Sequence, residues 1–322
     1  GSAYNNLGYV WINKGEYDKV IEYFEKSLAI KLKVHGDQHP DTGVSYNSLG
    51  TVWHEKGEYD KAVEDFEKSL AIDLKVHGNQ HPSTGLSYNN LGSVWSDKGE
   101  YDKAIEYHEK SLAVNLKVHG DQHPSTGLSY NNLGAVWSNK GEYDKAIEYF
   151  EKSLAIDLKV HGNQHPDTGT LLFHLTTCYN NLAAVWNDKG EYDKAIEYLE
   201  KSLAINLKVH GEKHSSLVTK YNMLGQNFKI KEDYRKSIEY FKKGFIINKS
   251  AGGFPFNIGF CFEKLNQNIK AIENYVLSAE LRKKGLGLKD IQTIKALQEA
   301  QRLASKTKRT DLLPKWIKDF KQ

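Results

Sequence analysis

The sequence predicts an all-α chain: a right-handed superhelical solenoid of antiparallel helix pairs, about seven repeats long and closed by a C-terminal capping helix. Three observations predict it. Tyr46, Tyr88 and Tyr130 open near copies of one phrase, Tyr-Asn-Asn-Leu-Gly, at a period of 42 residues. Each period carries apolar residues at helical spacing twice. Helix start and stop signals alternate between them.

Composition fits such an array. The chain has 322 residues, 26 Gly, 6 Pro and 39% hydrophobic residues. A single core stops growing near roughly 250–300 residues, whereas a stacked core extends as a line. No run of about 18 apolar residues appears, so no membrane helix and no membrane partner are expected. No secretory signal is visible. Cys178 and Cys261 lie in different repeats, which argues against a disulfide framework and for a reducing, cytoplasmic setting. Residues 1–219 carry 22 Lys/Arg against 31 Asp/Glu, a net of −9, and residues 220–322 carry 22 against 10, a net of +12. Such asymmetry suits different partners at the two ends, or ordinary tuning of helix surfaces.

The unit from Tyr88 to Pro124 shows the local logic. Tyr88, Leu91, Gly92 and Trp95 share one face of a first helix, which Gly99 ends. Ala104, His108, Leu112, Leu116 and Val118 mark a second helix. It stops at His119-Gly120, where Gly is expected in the left-handed C-terminal position. Pro124 opens the next first helix, where a missing N–H costs nothing. Gly92 in mid-helix costs about 1 kcal/mol relative to Ala. Close helix approach, with Ala104 facing the missing side chain, is the expected reason. The Gly-Glu-Tyr-Asp-Lys phrases put carboxylates at second-helix N-termini, which stabilises by ~0.3–1 kcal/mol.

Repeats open at Tyr4, Tyr46, Tyr88, Tyr130, Tyr179 and Tyr221, so residues 3–250 are expected to form six of them. Residues 251–304 form a degenerate seventh repeat and the capping helix; residues 305–322 form a basic tail or a short helix around Trp316. Tyr179 follows Tyr130 by 49 residues, and the seven added residues lie near 170–176. Seven residues at ~100° each fall within about 20° of two turns. A first helix lengthened by two turns therefore keeps Leu182 and Trp186 on the same neighbour. The alternative is an apolar projection of Leu171, Leu172, Phe173 and Leu175 that contacts a partner. Gly1-Ser2 reads as a cloning remnant and the chain enters a repeat midway. It is therefore expected to be a fragment whose first helix frays or associates end to end with another copy.

Tyr88-x-x-Leu91-Gly92-x-x-Trp95, followed by Ala104-x-x-x-His108, resembles the tetratricopeptide repeat signature, with Trp and Tyr exchanged and His in place of the usual Phe. The long unit and the His-Gly-x-x-His-Pro junction are similar to the repeats of kinesin light chain. The resemblance implies a non-enzymatic scaffold, a kinesin-light-chain-like adaptor that holds a peptide or protein partner in a concave groove lined by first helices. One alternative is the sensor array of a larger signalling ATPase or protease. Another is nucleic-acid binding through Lys306, Lys308, Arg309, Lys315 and Lys318. Stacking aromatics are scarce among these charges, so nucleic acid is not the expected partner.

Carried onto this sequence, the groove begins with Asn5, Asn47, Asn89, Asn131, Asn180 and Asn222, and ends with Glu55, Asp97, Asn139 and Asp188. The Asn residues read as a ladder of amides offering donors and acceptors to an extended peptide, or as the residue of duplication. The carboxylates stand without Lys or Arg before Lys229, which favours a neutral or basic ligand.

No catalytic residue, cofactor or metal is expected. Five His pairs recur at spacing four: His35/His39, His77/His81, His119/His123, His161/His165 and His210/His214. Each straddles a helix junction and lacks a recurring third ligand, so packing and junction hydrogen bonds are the expected role. His108 takes a core position filled by Phe24, Phe66 and Phe150 elsewhere, and Trp11, Trp53, Trp95, Trp137 and Trp186 read as core. No phosphate loop or nucleophile elbow appears.

Overall fold

The computed structural model describes residues 16–163 and 169–320. Asn5, the repeat opening at Tyr4, Trp11, His165 and the side chain of His161 lie outside what it describes. Among the described residues there are fifteen α-helices and one 3-10 turn, and no strand. The first is α1 (Tyr17–His35). Pairs follow: α2 (Pro40–Glu55) with α3 (Tyr59–His77), α4 (Pro82–Asp97) with α5 (Tyr101–His119), and α6 (Pro124–Asn139) with α7 (Tyr143–Asn163). Next come α8 (Gly169–Asp188) and α9 (Tyr192–His210), α10 (Ser216–Ile230) and α11 (Tyr234–Ile247), and α12 (Gly253–Lys264) and α13 (Asn268–Leu286). The chain ends with α14 (Ile291–Lys306), the 3-10 turn and α15 (Lys315–Lys318).

Helix ends follow from a few residue types. Pro40, Pro82 and Pro124 each occupy a first helical turn, where their missing N–H removes nothing. The preceding His39, His81 and His123 cap these helices: Nδ1 accepts from the backbone N–H two residues on, at 3.1–3.2 Å. Second helices end on Gly36, Gly78 and Gly120, with φ of 80 to 86°. Their ψ is 175–176°, far from the ~47° of the left-handed helix. The expected left-handed cap is thus replaced by a more extended turn that only glycine enters freely.

The mid-helix glycines also differ from expectation. A Cβ on Gly92 would meet the His108 ring at 2.8 Å, and one on Gly134 or Gly50 would meet Phe150 or Phe66 at 2.7 and 2.8 Å. The missing side chain therefore faces the ring four residues beyond Ala104, not Ala104 itself. Ala104 is fully buried in the layer that continues to Leu133 and Val136 of the next repeat.

The chain divides into two compact units, Gly1–Asn181 and Leu182–Gln322, the division falling within α8. In the first, each helix from α1 to α6 packs on the next, and the first helices α2, α4 and α6 also touch in sequence. Lys56, Lys98 and Lys140, just past the ends of these first helices, pair with Asp18, Asp60 and Asp102 of the preceding second helices. Such exposed, solvent-screened pairs add little to stability. Trp53, Trp95 and Trp137 pack half-buried against the core clusters. In the second unit α9 to α14 pack in chain order. Leu313 and Ile317 bury the chain end against α14, where Gln301 donates to the carbonyls of Ile317 and Phe320. In the long α8, Leu175 is buried while Phe173 is 68% exposed, so the added residues include both a covered and an uncovered apolar side chain.

Candidate peptide-binding face

The Asn ladder is tied into the fold. Asn47 Oδ1 accepts from Asn90 Nδ2 at 2.7 Å, Asn89 from Asn132 at 2.7 Å, and Asn131 from Asn181 at 2.9 Å. Each bond joins the first Asn of one phrase to the second Asn of the next. The amide oxygens are therefore occupied, and no other described residue is bonded to the Nδ2 groups of Asn47, Asn89 and Asn131, which remain as donors. Asn180 and Asn222 are half-buried, in the first and second units respectively. The second-Asn role of Asn90, Asn132 and Asn181 was available in the sequence as an equally regular recurrence.

Glu55, Asp97, Asn139 and Asp188 lie exposed at the ends of their helices. Asp97 is not idle: its Oδ2 lies 2.6 Å from Nε2 of His54, which projects from the preceding first helix. Three residues before each ladder Asn, and so on the same helix face, stand Val44, Leu86 and Leu128, exposed by 57, 55 and 49%. The face thus alternates apolar side chains and amides from repeat to repeat. Sequence reasoning missed the apolar members because at helical spacing they resemble core.

Clefts open between consecutive first helices. One is lined by Leu86, Asn89, Asn115, Leu128 and Ser129. The next has the equivalent residues Leu128, Asn131, Asp157 and Cys178, with Phe173 at its side. At this position the second helix meets the following first helix through a hydrogen bond. Ser87 donates to Asp73 at 2.7 Å, and Asn115 donates to Ser129 at 2.8 Å. Among the described residues Asp157 receives only a thiol, Cys178 Sγ at 3.3 Å, although it is 3% exposed. Burial pushes the Asp157 carboxyl above the usual carboxylate range, with the Cys178 hydrogen bond and the charge of His174 opposing it. Burial also pushes the Cys178 thiol up to about 12, which makes it a poor nucleophile.

The His pairs are packing and capping groups. The rings of His35/His39, His77/His81, His119/His123 and His210/His214 stack face to face at 4.3–4.4 Å; His39, His81 and His123 are committed to their helix caps, and His214 Nδ1 accepts from the backbone N–H of Ser216. Among the described residues no group of three or more His, Cys, Asp or Glu side chains is placed to hold a metal. No described helix is long and apolar enough to cross a membrane. His108 is a core group, 2% exposed, with its Nδ1 unpartnered.

A tetratricopeptide repeat family model matches residues 1–75, 84–156, 138–180 and 177–245. Among solved structures, the nearly identical repeats of a candidate kinesin light chain from Podosopora anserina align with a TM-score of 0.56 at 26% identity, covering 64% of this chain and 94% of that one. BtubC (BKLC) from P. vanneervenii aligns at 0.61 with 18% identity over 74% of this chain and 93% of that one. A STAND signal-transduction ATPase with a tetratricopeptide repeat sensor from Pyrococcus horikoshii aligns at 0.60 with 17% identity, over 96% of this chain and 43% of that one. The latter two likenesses concern the fold alone. No curated protein matches the chain in sequence.

Proposed function

Since the chain belongs to the tetratricopeptide repeat family of protein–protein interaction scaffolds, we propose that it is an adaptor of the kinesin-light-chain type which holds an extended peptide on the first-helix face of its first unit. The observation that carries this reading is the recurrent pairing of an exposed apolar side chain with an amide donor: Val44 with Asn47, Leu86 with Asn89, Leu128 with Asn131. Monomeric proteins seldom leave a repeated apolar row uncovered unless it meets a partner. Amide donors beside it suit backbone carbonyls of a peptide, and apolar clefts suit its side chains. Asn5, Asn180 and Asn222 extend the same series at sequence level, and Asn139 stands where Glu55, Asp97 and Asp188 supply negative charge. That charge favours a neutral or basic ligand. The two free, buried cysteines agree with a reducing, cytoplasmic setting.

The test is retention on an array of short random peptides. The double change Leu86→Glu with Leu128→Glu is expected to lower retention by about tenfold or more. Val118→Glu, on a second helix and also exposed, is expected to change it little. Equal effects from the two variants, or none from the first, would overturn the reading.

A further inference from the structure

The cleft at Asp157 differs from its counterparts in ways that a ligand would notice. The Asp157 carboxylate is only 3% exposed, yet its one hydrogen bond among the described residues comes from a thiol. Thiols are weak donors, and a buried carboxylate without strong partners is costly. Among the described residues His174 is a ring lining the same cleft; its charge opposes the effect of burial on Asp157, but the two form no ion pair within 4.0 Å. The opening that Asp157 lines has a volume of about 90 Å³, several times the ~10–15 Å³ that a single water needs. Leu128 and Phe173 supply apolar walls, Phe173 standing well exposed at the rim. Asn131, a ladder residue, lines it too.

The junction one repeat earlier shows that this is not a requirement of the fold. Asn115, a neutral amide, occupies the place of Asp157 there and is satisfied by Ser129. Where an Asp does occur at this place in an earlier repeat, Asp73 is half-buried and accepts from the hydroxyl of Ser87. Among these junctions, the cleft under the lengthened α8 alone combines a buried carboxylate, a weak internal donor and an apolar-walled opening.

We propose that the Asp157 cleft is a side-chain pocket for a cation, taking the ammonium or guanidinium group of a Lys or Arg in the peptide held on this face. The cation would complete the hydrogen bonding of Asp157, while its methylenes lie between Leu128 and Phe173. Charge-assisted hydrogen bonds to a desolvated carboxylate are stronger than neutral ones, and the acidic balance of residues 1–219 favours such a ligand. This inference rests on the first-helix face being the peptide site.

Two measurements separate the pocket from that reading. In mildly alkaline buffer, n-butylammonium chloride is titrated against potassium chloride at equal ionic strength, and the backbone amide resonances of Thr177 and Cys178 are followed by NMR. A saturable shift specific to the amine is expected, with affinity reduced about tenfold by Asp157→Asn and unchanged by Asp73→Asn. Asn115 in the equivalent place shows that the fold accepts the amide. On the peptide array, retained peptides are expected to be enriched in Lys and Arg, and Asp157→Asn to remove the enrichment. Retained peptides that depend on Leu86 and Leu128 but show no basic enrichment, together with no amine-specific shift, would overturn the pocket while leaving the peptide face standing. An amine-specific shift that Asp157→Asn abolishes, without any peptide retention, would support the pocket and overturn the peptide face. A shift that Asp157→Asn leaves intact would place the amine elsewhere and refute the pocket.

Discussion

The third and fourth repeats are near copies, yet they differ where it matters most: His108 stands opposite Phe150 in the core register, and Asn115 opposite Asp157 in the cleft. Both pairs are built on the same backbone. Gly92 leaves room for the His108 ring as Gly134 does for Phe150. Asn115 and Asp157 start from the same turn of the second helix and reach the same place on the next first helix. The repeat backbone thus tolerates a change of chemistry at fixed geometry. Each repeat is therefore a control for the other, and a departure in one is a statement about stability or ligand.

The largest effect is expected in the core pair. Burial holds His108 down to about 4, below its ordinary value of 6.5. The unfolded chain then binds a proton between these values that the folded chain refuses. Stability accordingly falls as pH drops from about 6.5 to about 4 and is level in this contribution outside that window. The loss is of order 3 kcal/mol at most. His108→Phe, which copies the fourth repeat, is expected to remove this slope and raise stability most at the acid end. Thermal unfolding across pH checks it; an unchanged slope would break the comparison, since it would mean that His108 is not the buried neutral group that Phe150 replaces.

A smaller effect tests equivalence instead of difference. Asn89→Ala and Asn131→Ala each leave a half-buried amide, Asn132 or Asn181, without its acceptor. Each change is expected to cost about 1–2 kcal/mol by denaturant unfolding. The two should agree within about 0.5 kcal/mol. Unequal values would show that the repeats are not interchangeable frames, and stabilisation by the better helix former Ala would show that the ladder bonds carry no weight.

The smallest effect concerns the cleft. Cys178→Ser restores the hydroxyl found at Ser87 and Ser129, and is expected to add under about 1 kcal/mol through a stronger bond to Asp157. The Asp157 carboxyl is raised by burial, so its contribution is fully present below the unfolded carboxylate range and is lost as pH rises through the folded value. That sign opposes His108. Cys178→Ser should shrink this contribution, and no change in the pH profile of unfolding near the carboxylate range would argue against the thiol as the weak partner.

Much of this was legible from residues alone. Helix starts at Pro40, Pro82 and Pro124, and stops at Gly36, Gly78 and Gly120, are local events set by a few φ angles and missing donors. The buried state of His108 follows from its register with Phe66 and Phe150. What was not legible joins residues a full repeat apart. The bond from Asn90 to Asn47 spans 43 residues, and its existence depends on how one helix pair tilts on the next. The pairing of Gly92 with His108 in place of Ala104 depends on the relative rotation of two helices, which periodicity leaves open. The exposure of Leu86 and Leu128 is set by how wide the apolar stripe is compared with what the neighbours cover. Recurrence says that a position is fixed, not which neighbour fixes it.

The first-helix face of the first unit is the proposed peptide site. The most direct measurement is backbone NMR shift mapping of the full chain with one peptide retained from the array. The largest shifts are expected at Leu86–Asn89 and Leu128–Asn131, weakened by Leu86→Glu with Leu128→Glu. Shifts confined to second-helix residues such as Val118, or to the basic chain end around Lys315 and Lys318, would contradict it.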